Sequence, residues 1–359
     1  MKLSIVVPCY NEPGTIGEIV RRVLTVQLPA GMDREILIVD DGSRSETREA
    51  IARAAESSSS VRVITRQANG GKGRAVKDGL AATTGDYVVI QDADLEYDPT
   101  DYARLLAPLL AGEATAVFGS RNLSDNNSSG RAMYFWGGQL VTWCFNISFR
   151  THLSDLTTCY KMFSSAEIPA LLAQPSDDFV FDAIELSWVL TRGKVIELPI
   201  RYAARSAAEG KKLRAIHGVR CIERLIELRF GATFFRVGKF IIVGGLAMLI
   251  NLAVLYVLIS MLGIWYLASS IVSFLVALMA NFFLQKVWAF GSRRDKPYRQ
   301  FAAFFGTNIF NLGLNTLIMY LLVSHVGIEY LIAQIITSVL ISIESFFAYS
   351  VIFKKATHI

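Results

Sequence analysis

From Phe240 to Gln285 the chain runs for 46 residues without one Asp, Glu, Lys, Arg or His. A bilayer core is crossed by about 20 helical residues, and this stretch is broken only near Gly263. It predicts two membrane-spanning helices, 240–262 and 265–286, with a second pair at 300–323 and 330–352. The linker between the pairs carries Arg293, Arg294, Lys296 and Arg299 and the tail carries Lys354 and Lys355, whereas the turns near Gly263 and Gly327 have neither Lys nor Arg. Positive charge gathers on the cytoplasmic side. The expectation is a multi-pass protein of the cytoplasmic (inner) membrane, with linker, N-terminal part and both termini in the cytoplasm.

The two pairs repeat at an offset of 64: Asn251 matches Asn315, Tyr256 matches Tyr320, Gly263-Ile264 matches Gly327-Ile328, and Phe282-Phe283 matches Phe346-Phe347. Two spans per unit keep both copies in one orientation, the signature of a parallel duplication.

Charge is divided unevenly. Of 36 Lys and Arg and 31 Asp and Glu, residues 236–359 hold 9 and 3, so the net +5 belongs to the membrane part and points to lipid headgroups. Residues 1–235 are nearly neutral, which gives no basic groove for nucleic acid. The four cysteines show neither disulfide nor zinc spacing. The opening apolar run is cut at Pro8, too short for the core of a signal peptide.

Short Val- and Ile-rich runs at Leu3–Val7, Ile36–Val39, Val61–Thr65, Tyr87–Ile90 and Thr115–Gly119 alternate with helical spacing such as Ile16, Ile19, Val20 and Val23. That order predicts an α/β domain on a mainly parallel sheet, with ligands at the carboxyl ends of its strands. Just past those ends stand Tyr10-Asn11-Glu12, Asp40-Asp41-Gly42-Ser43, Asp92-Ala93-Asp94 and Ser120-Arg121. Farther on, Lys211–Phe235 reads as an amphipathic interfacial helix. Met133–Phe149 reads equally as a second one or as a core helix.

Asp92, Asp94 and Glu96 follow an apolar strand, and alternating carboxylates at a strand end suit a hard divalent ion that also takes phosphate oxygens; alone, the same residues would more often form a solvated turn. Pro8 to Glu12 offers a ring and a carboxylate to a base. Asn69-Gly70-Gly71-Lys72-Gly73 offers one cation at a helix start, without P-loop spacing.

Together with Gly119-Ser120-Arg121, Asp155-Leu156-Thr157-Thr158-Cys159-Tyr160-Lys161, Glu197-Leu198-Pro199-Ile200 and Gly210-Lys211-Lys212, these motifs stand in the order seen in family-2 glycosyltransferases. The resemblance covers about 1–230. It is closest to the polyprenyl-phosphate glycosyltransferases that include dolichol-phosphate mannosyltransferase, and the helical part resembles the GtrA-like membrane domain.

The resemblance implies an α/β GT-A catalytic domain over 1–210, an amphipathic interfacial region over 211–236, and an all-α transmembrane domain of four helices over 237–359. It implies an inverting, metal-dependent hexosyltransferase that moves one hexose from a nucleotide sugar, of GDP-mannose or UDP-glucose type, to polyprenyl or dolichyl phosphate. Asp92 and Asp94 would hold Mg²⁺ or Mn²⁺ on the donor diphosphate. Glu96, where the family often has Gln, would be a further metal contact. Pro8, Tyr10, Glu12, Asp41 and Lys72 would hold the nucleotide. Arg121, Arg131, Arg205, Lys211 and Lys212, with Arg201 a weaker candidate, would neutralise the acceptor phosphate, since guanidinium suits phosphate oxygens.

Asp155 reads as acceptor-orienting residue or base, or as a helix cap through Thr157 or Thr158. Glu344, inside the fourth span, is a functional suspect by its position, or a carboxyl bonded to an Asn of a neighbouring helix. Self-association is compatible with all of this. Two rivals stand beside the transferase: a processive polysaccharide synthase, although no Trp follows an Arg here as its Gln-x-x-Arg-Trp motif requires, and a flippase for lipid-linked sugar in the helical half.

Overall fold

Parallel strands covered on both faces need uninterrupted apolar runs rather than alternation, and β1 (Lys2–Cys9), β2 (Asp33–Asp40) and β4 (Tyr87–Ile90) have them. Leu3, Ile5, Val6, Leu37, Ile38, Val88 and Val89 are all buried. The computed structural model describes residues 1–124, 132–204, 215–292 and 297–353. It divides into two units, Met1–Arg229 and Phe230–Ile359.

In the first unit β3 (Val61–Thr65), β5 (Ala116–Ser120), β6 (Lys161–Ser164) and β7 (Val195–Pro199) complete a seven-stranded sheet of order β3-β2-β1-β4-β6-β5-β7. Helices α1 (Ile16–Thr25), α2 (Ser45–Glu56), α3 (Lys72–Ala81) and α4 (Tyr102–Leu110) connect the early strands, and the short α6 (Ile168–Leu172) and α7 (Leu186–Leu190) come later. The register pairs Cys9 with Asp40, Asp40 with Thr65 and Val6 with Ile90, so four strands end side by side. β6 runs antiparallel to β4 and β5, pairing Lys161 with Phe118. It therefore begins at the edge where its neighbours end, and the loop before it, residues 151–160, joins the same rim. Neither β6 nor β7 is evident in the sequence.

Between β5 and β6 lies α5 (Ala132–Phe149), and α8 (Ala215–Phe230) closes the unit. Val141 and Phe145 pack with Cys221, Leu225 and Ile184 in a second core. The other side of α5 leaves Trp136, Leu140, Trp143 and Ile147 exposed. The packed face is that of a core helix, and the exposed face is what the interfacial reading would need.

The second unit contains α9 (Ala232–Tyr256), α10 (Tyr266–Leu284), α11 (Pro297–Tyr320) and α12 (Tyr330–Ile352). Among the described residues they give, with their terminal turns, four helices long and apolar enough to cross a membrane, Ala232–Met261, Tyr266–Ala289, Pro297–His325 and Ile332–Ile352. The first and third begin earlier than the charge-free runs, because Arg236, Lys239 and Arg299 ride on helical ends. The offset of 64 extends to the backbone. A π-helical turn at Val257–Met261 recurs at Leu321–His325, Gly263 and Gly327 both take positive φ, and Ile264 N–H donates to Leu258 O as Ile328 N–H does to Leu322 O.

Phe282, Phe304, Phe353 and Tyr349 form the aromatic centre of this unit. Asn308 Nδ2 donates to the Tyr349 hydroxyl at 3.0 Å and Asn311 Nδ2 to Ser345 Oγ at 2.8 Å. The expected Asn partner of Glu344 thus takes the neighbouring serine, and Glu344 Oε2 is buried with no hydrogen-bond partner among the described residues.

Candidate active site

The rim formed by the strand ends is knit by side chain to backbone bonds between loops. Asn11, at φ 55°, turns the chain after β1; its amide donates to Ser43 Oγ at 3.1 Å, and its side-chain oxygen accepts from the Arg44 amide at 3.0 Å. Asn adopts this left-handed conformation more readily than most residues. Pro8 pairs within the sheet, Tyr10 presents an exposed ring and Glu12 is half-buried beside it. Asp41 is buried and engaged: its carboxylate accepts from the amides of Gly70 and Gly71 at 2.8 and 2.9 Å and pairs with Arg66 Nε at 2.9 Å. Its contribution is to shape the glycine loop in front of Lys72.

Lys72 opens α3 and bridges two carboxylates, Asp92 Oδ1 at 2.7 Å and Asp182 Oδ2 at 2.8 Å. Burial alone would push its ammonium pKa down, but Asp182 and Asp92 outweigh that and hold it well above the usual lysine range. Asp182 is buried on a π-helical turn, Phe181–Glu185, and burial is likewise outweighed there, by Lys72 and Lys161, so its pKa lies below the usual carboxylate range. Sequence reasoning missed it; the one signal is a carboxylate set within the apolar stretch Phe179–Ile184.

Asp92 and Asp94 follow β4 and are half-buried. Asp94 Oδ1 accepts from the Glu96 amide at 3.1 Å. Glu96 itself takes the Tyr202 hydroxyl at 2.9 Å, and its carbonyl takes the Ala203 amide. Among the described residues no group of three or more His, Cys, Asp or Glu is placed to hold a metal. The expected trio of Asp92, Asp94 and Glu96 is not gathered into a cage, and Glu96 instead ties this loop to the segment after β7. What remains fits a hard ion of the Mg²⁺ or Mn²⁺ kind, which takes one or two protein carboxylates and completes its shell with phosphate and water.

Asp155 is 2% exposed and accepts from Arg121 Nε and from its terminal nitrogen, both at 2.7 Å, and from the Arg121 amide at 3.0 Å. Burial would raise its pKa, but Arg121 outweighs this and holds the carboxyl below its usual range. A carboxylate so held is a weak base. It does not cap a helix through Thr157 or Thr158; it fixes the guanidinium of Arg121, which lies over the Tyr202 ring with 5.2 Å to the centroid. Beneath, Glu197 accepts the amides of Ser154 and Asp155 at 2.7 and 3.1 Å. The exposed side chain of Arg201 lies on Thr100 and Asp98. Arg131, Arg205, Lys211 and Lys212 lie outside the described residues.

Residues 4–162 match the model of glycosyl transferase family 2, and residues 239–353 that of the GtrA/DPMS transmembrane domain. The N-terminal unit is a family-2 glycosyltransferase domain. Its seven-stranded, mostly parallel sheet is of the GT-A type, and the chain that joins this glycosyltransferase to a GtrA/DPMS domain is a membrane protein. Dolichol-phosphate mannosyltransferase of Pyrococcus furiosus is 28% identical over 95% of this chain and 96% of its own. Undecaprenyl-phosphate 4-deoxy-4-formamido-L-arabinose transferase of Enterobacter is 30% identical over 58% of this chain and 62% of its own. A structure of glucosyl-3-phosphoglycerate synthase from Mycobacterium tuberculosis with Mn²⁺, UDP and glucosyl-3-phosphoglycerate superposes with a TM-score of 0.48 at 22% identity, over 64% of this chain and 80% of that one.

Proposed function

We propose that this glycosyltransferase moves one hexose, with inversion, from a nucleoside diphosphate sugar to a polyprenyl phosphate at the cytoplasmic membrane face. The observation that carries the reading is the ion pair of Lys72 with Asp92 just past the end of β4, two residues before Asp94, in a chain whose described residues also include four spans fit for a bilayer. A relative that shares both parts, at nearly full length on both sides, is named for transfer to dolichol phosphate. Tyr10 and Glu12 line the rim for base and ribose, while Asp41 sets the loop that presents Lys72 to the diphosphate. Arg121 is aimed by Asp155 and Thr157 toward the acceptor side of the rim.

Asp92 and Asp94 would hold Mg²⁺ or Mn²⁺, which when bound offsets the charge that builds on the departing nucleotide. An acceptor phosphate monoester has its second pKa near about 6 and is mostly dianionic at neutral pH. It attacks the anomeric carbon without a strong base, which agrees with an Asp155 occupied by arginine.

The test is a panel of labelled UDP- and GDP-sugars with polyprenyl phosphate and the detergent-purified full chain. One donor should yield a polyprenyl-phosphate sugar. Asp94→Ala should lower turnover by about two to three orders of magnitude, the scale on which losing one charge-stabilising group is felt, and EDTA should abolish it reversibly. Transfer that persists in excess EDTA, or only to water-soluble acceptors, would overturn the proposal.

A further inference from the structure

Lys72 is fixed from two sides, and the two carboxylates that fix it differ. Asp92 is half-buried beside Asp94 on the rim, with 23% of its side chain exposed, while that of Asp182 is 3% exposed and lies behind it. Asp182 gives Lys72 only one oxygen. Its other, Oδ1, is buried with no hydrogen-bond partner among the described residues, a costly state for a carboxylate oxygen.

The segment that carries Asp182 is pinned to the start of α3. The Arg74 amide donates to Asp177 O at 2.7 Å, and a Cβ on Gly71, at φ +92°, would come within 2.9 Å of the same carbonyl. Lys161, itself buried, donates to the Asp182 carbonyl at 3.0 Å. Lysine and buried carboxylate are therefore set in one rigid frame, and Asp92 stands on a different loop.

We propose that Lys72 is an internal counter-ion that occupies Asp92 until a divalent ion arrives together with a diphosphate, and that Asp182 is the positioning residue that keeps the ammonium once Asp92 is released. The inference rests on the donor-site reading above and deepens it. A divalent ion alone meets a site with one of its two carboxylates already neutralised and a fixed positive charge beside it. It binds weakly. When the diphosphate comes with it, the added negative charge gives both cations a partner: the ion takes Asp92 and Asp94, and Lys72 turns to phosphate while Asp182 holds it with the oxygen now unpartnered. Ion and nucleotide then enter as a pair, and by linkage each strengthens the other by the same factor.

The full chain in detergent is titrated with Mn²⁺ alone, followed by the EPR signal of the free ion, and again with UDP or GDP present. Wild type should bind Mn²⁺ weakly alone and far more tightly with one of the nucleotides. Lys72→Met alone would leave Asp182 buried and unpaired, so the decisive variant is Lys72→Met with Asp182→Asn, which removes both charges of the inner pair and keeps its volume. This variant should bind Mn²⁺ alone about tenfold more tightly, about 1.4 kcal/mol, and should lose most of the enhancement by nucleotide. Unchanged or weaker binding of Mn²⁺ alone by the double variant, with wild type behaving as described, overturns the counter-ion role and leaves the donor site standing. No Mn²⁺ binding by wild type with either nucleotide overturns the donor site and the counter-ion role with it.

Discussion

At the scale of single residues, the pair Arg121–Asp155 decides how the acceptor side can work. Both Asp155 oxygens face the guanidinium, so the carboxylate orients a cation rather than receiving a proton. Its folded pKa is depressed, so the stabilisation from ionised Asp155 is fully present above the unfolded value of about 3.9 and disappears as pH falls through the lower folded value. Asp155→Asn should therefore lower thermal stability at pH 7, by about 1.5–3 kcal/mol for a charge-assisted bond, and the gap to wild type should close on acidification below about pH 4. Thermal unfolding of the two proteins across pH 3–7 checks this; a gap independent of pH would show that the stabilisation is not electrostatic. Asp92, Asp94, Lys72 and Arg121 are legible in the sequence because strand-end loops advertise polar residues. Asp182 is not, since it lies 90 residues after Asp92 and nothing local distinguishes a carboxylate that faces a lysine from one that faces water.

At the scale of elements, what could be read followed the burial of the strands. The parallel strands β1, β2 and β4 are continuous apolar runs and stand out, and the edge strand β3, VRVIT, shows by its β-branched residues. β6 is four residues beginning with a lysine, and its place between β4 and β5 depends on pairing that no local pattern encodes. In α5, Trp136, Leu140, Trp143 and Ile147 recur at helical spacing on the exposed side, while Val141 and Phe145 face the core. An exposed apolar stripe of this kind marks an interaction surface, and in a chain with four spans the lipid interface is the partner that such aromatic residues suit. A nitroxide at position 143 in liposomes should collide more often with oxygen than with a water-soluble nickel chelate. The reverse ratio would place this face in water. The oppositely facing Phe145→Asp should instead unfold the second core, since an unpaired charge would be buried there.

At the scale of the whole molecule, the even number of candidate spans and the distribution of charge together carry the proposal that the chemistry occupies the cytoplasmic side. In the proposed topology four spans put the N-terminal part, the linker sequence after α10 and the basic tail on one side and the turns at Gly263 and Gly327 on the other. The duplication supports this assignment independently: two copies with the same π-helical turn and the same positive-φ glycine are inserted in the same sense, so both turns must share one side. The linker carries four Lys and Arg and the turns none, and by the bias of positive charge toward the cytoplasm this supports the proposal that linker and transferase face the cytoplasm. Ser292 is a poor reporter of this, being buried and bonded to Gln300. Tyr298 and Trp265 are exposed and each lies at the start of its helix, and two consecutive spans that run in opposite directions would put them on opposite sides. With half-buried Cys144 replaced by Ser, Trp265→Cys should react with an impermeant thiol reagent in intact cells from which any outer membrane has been removed, and Tyr298→Cys only after the cells are opened. If Tyr298→Cys is labelled in intact cells and Trp265→Cys is not, the molecule is inverted, and a transferase fed by cytoplasmic nucleotide sugars would be excluded, because those charged donors could not reach it.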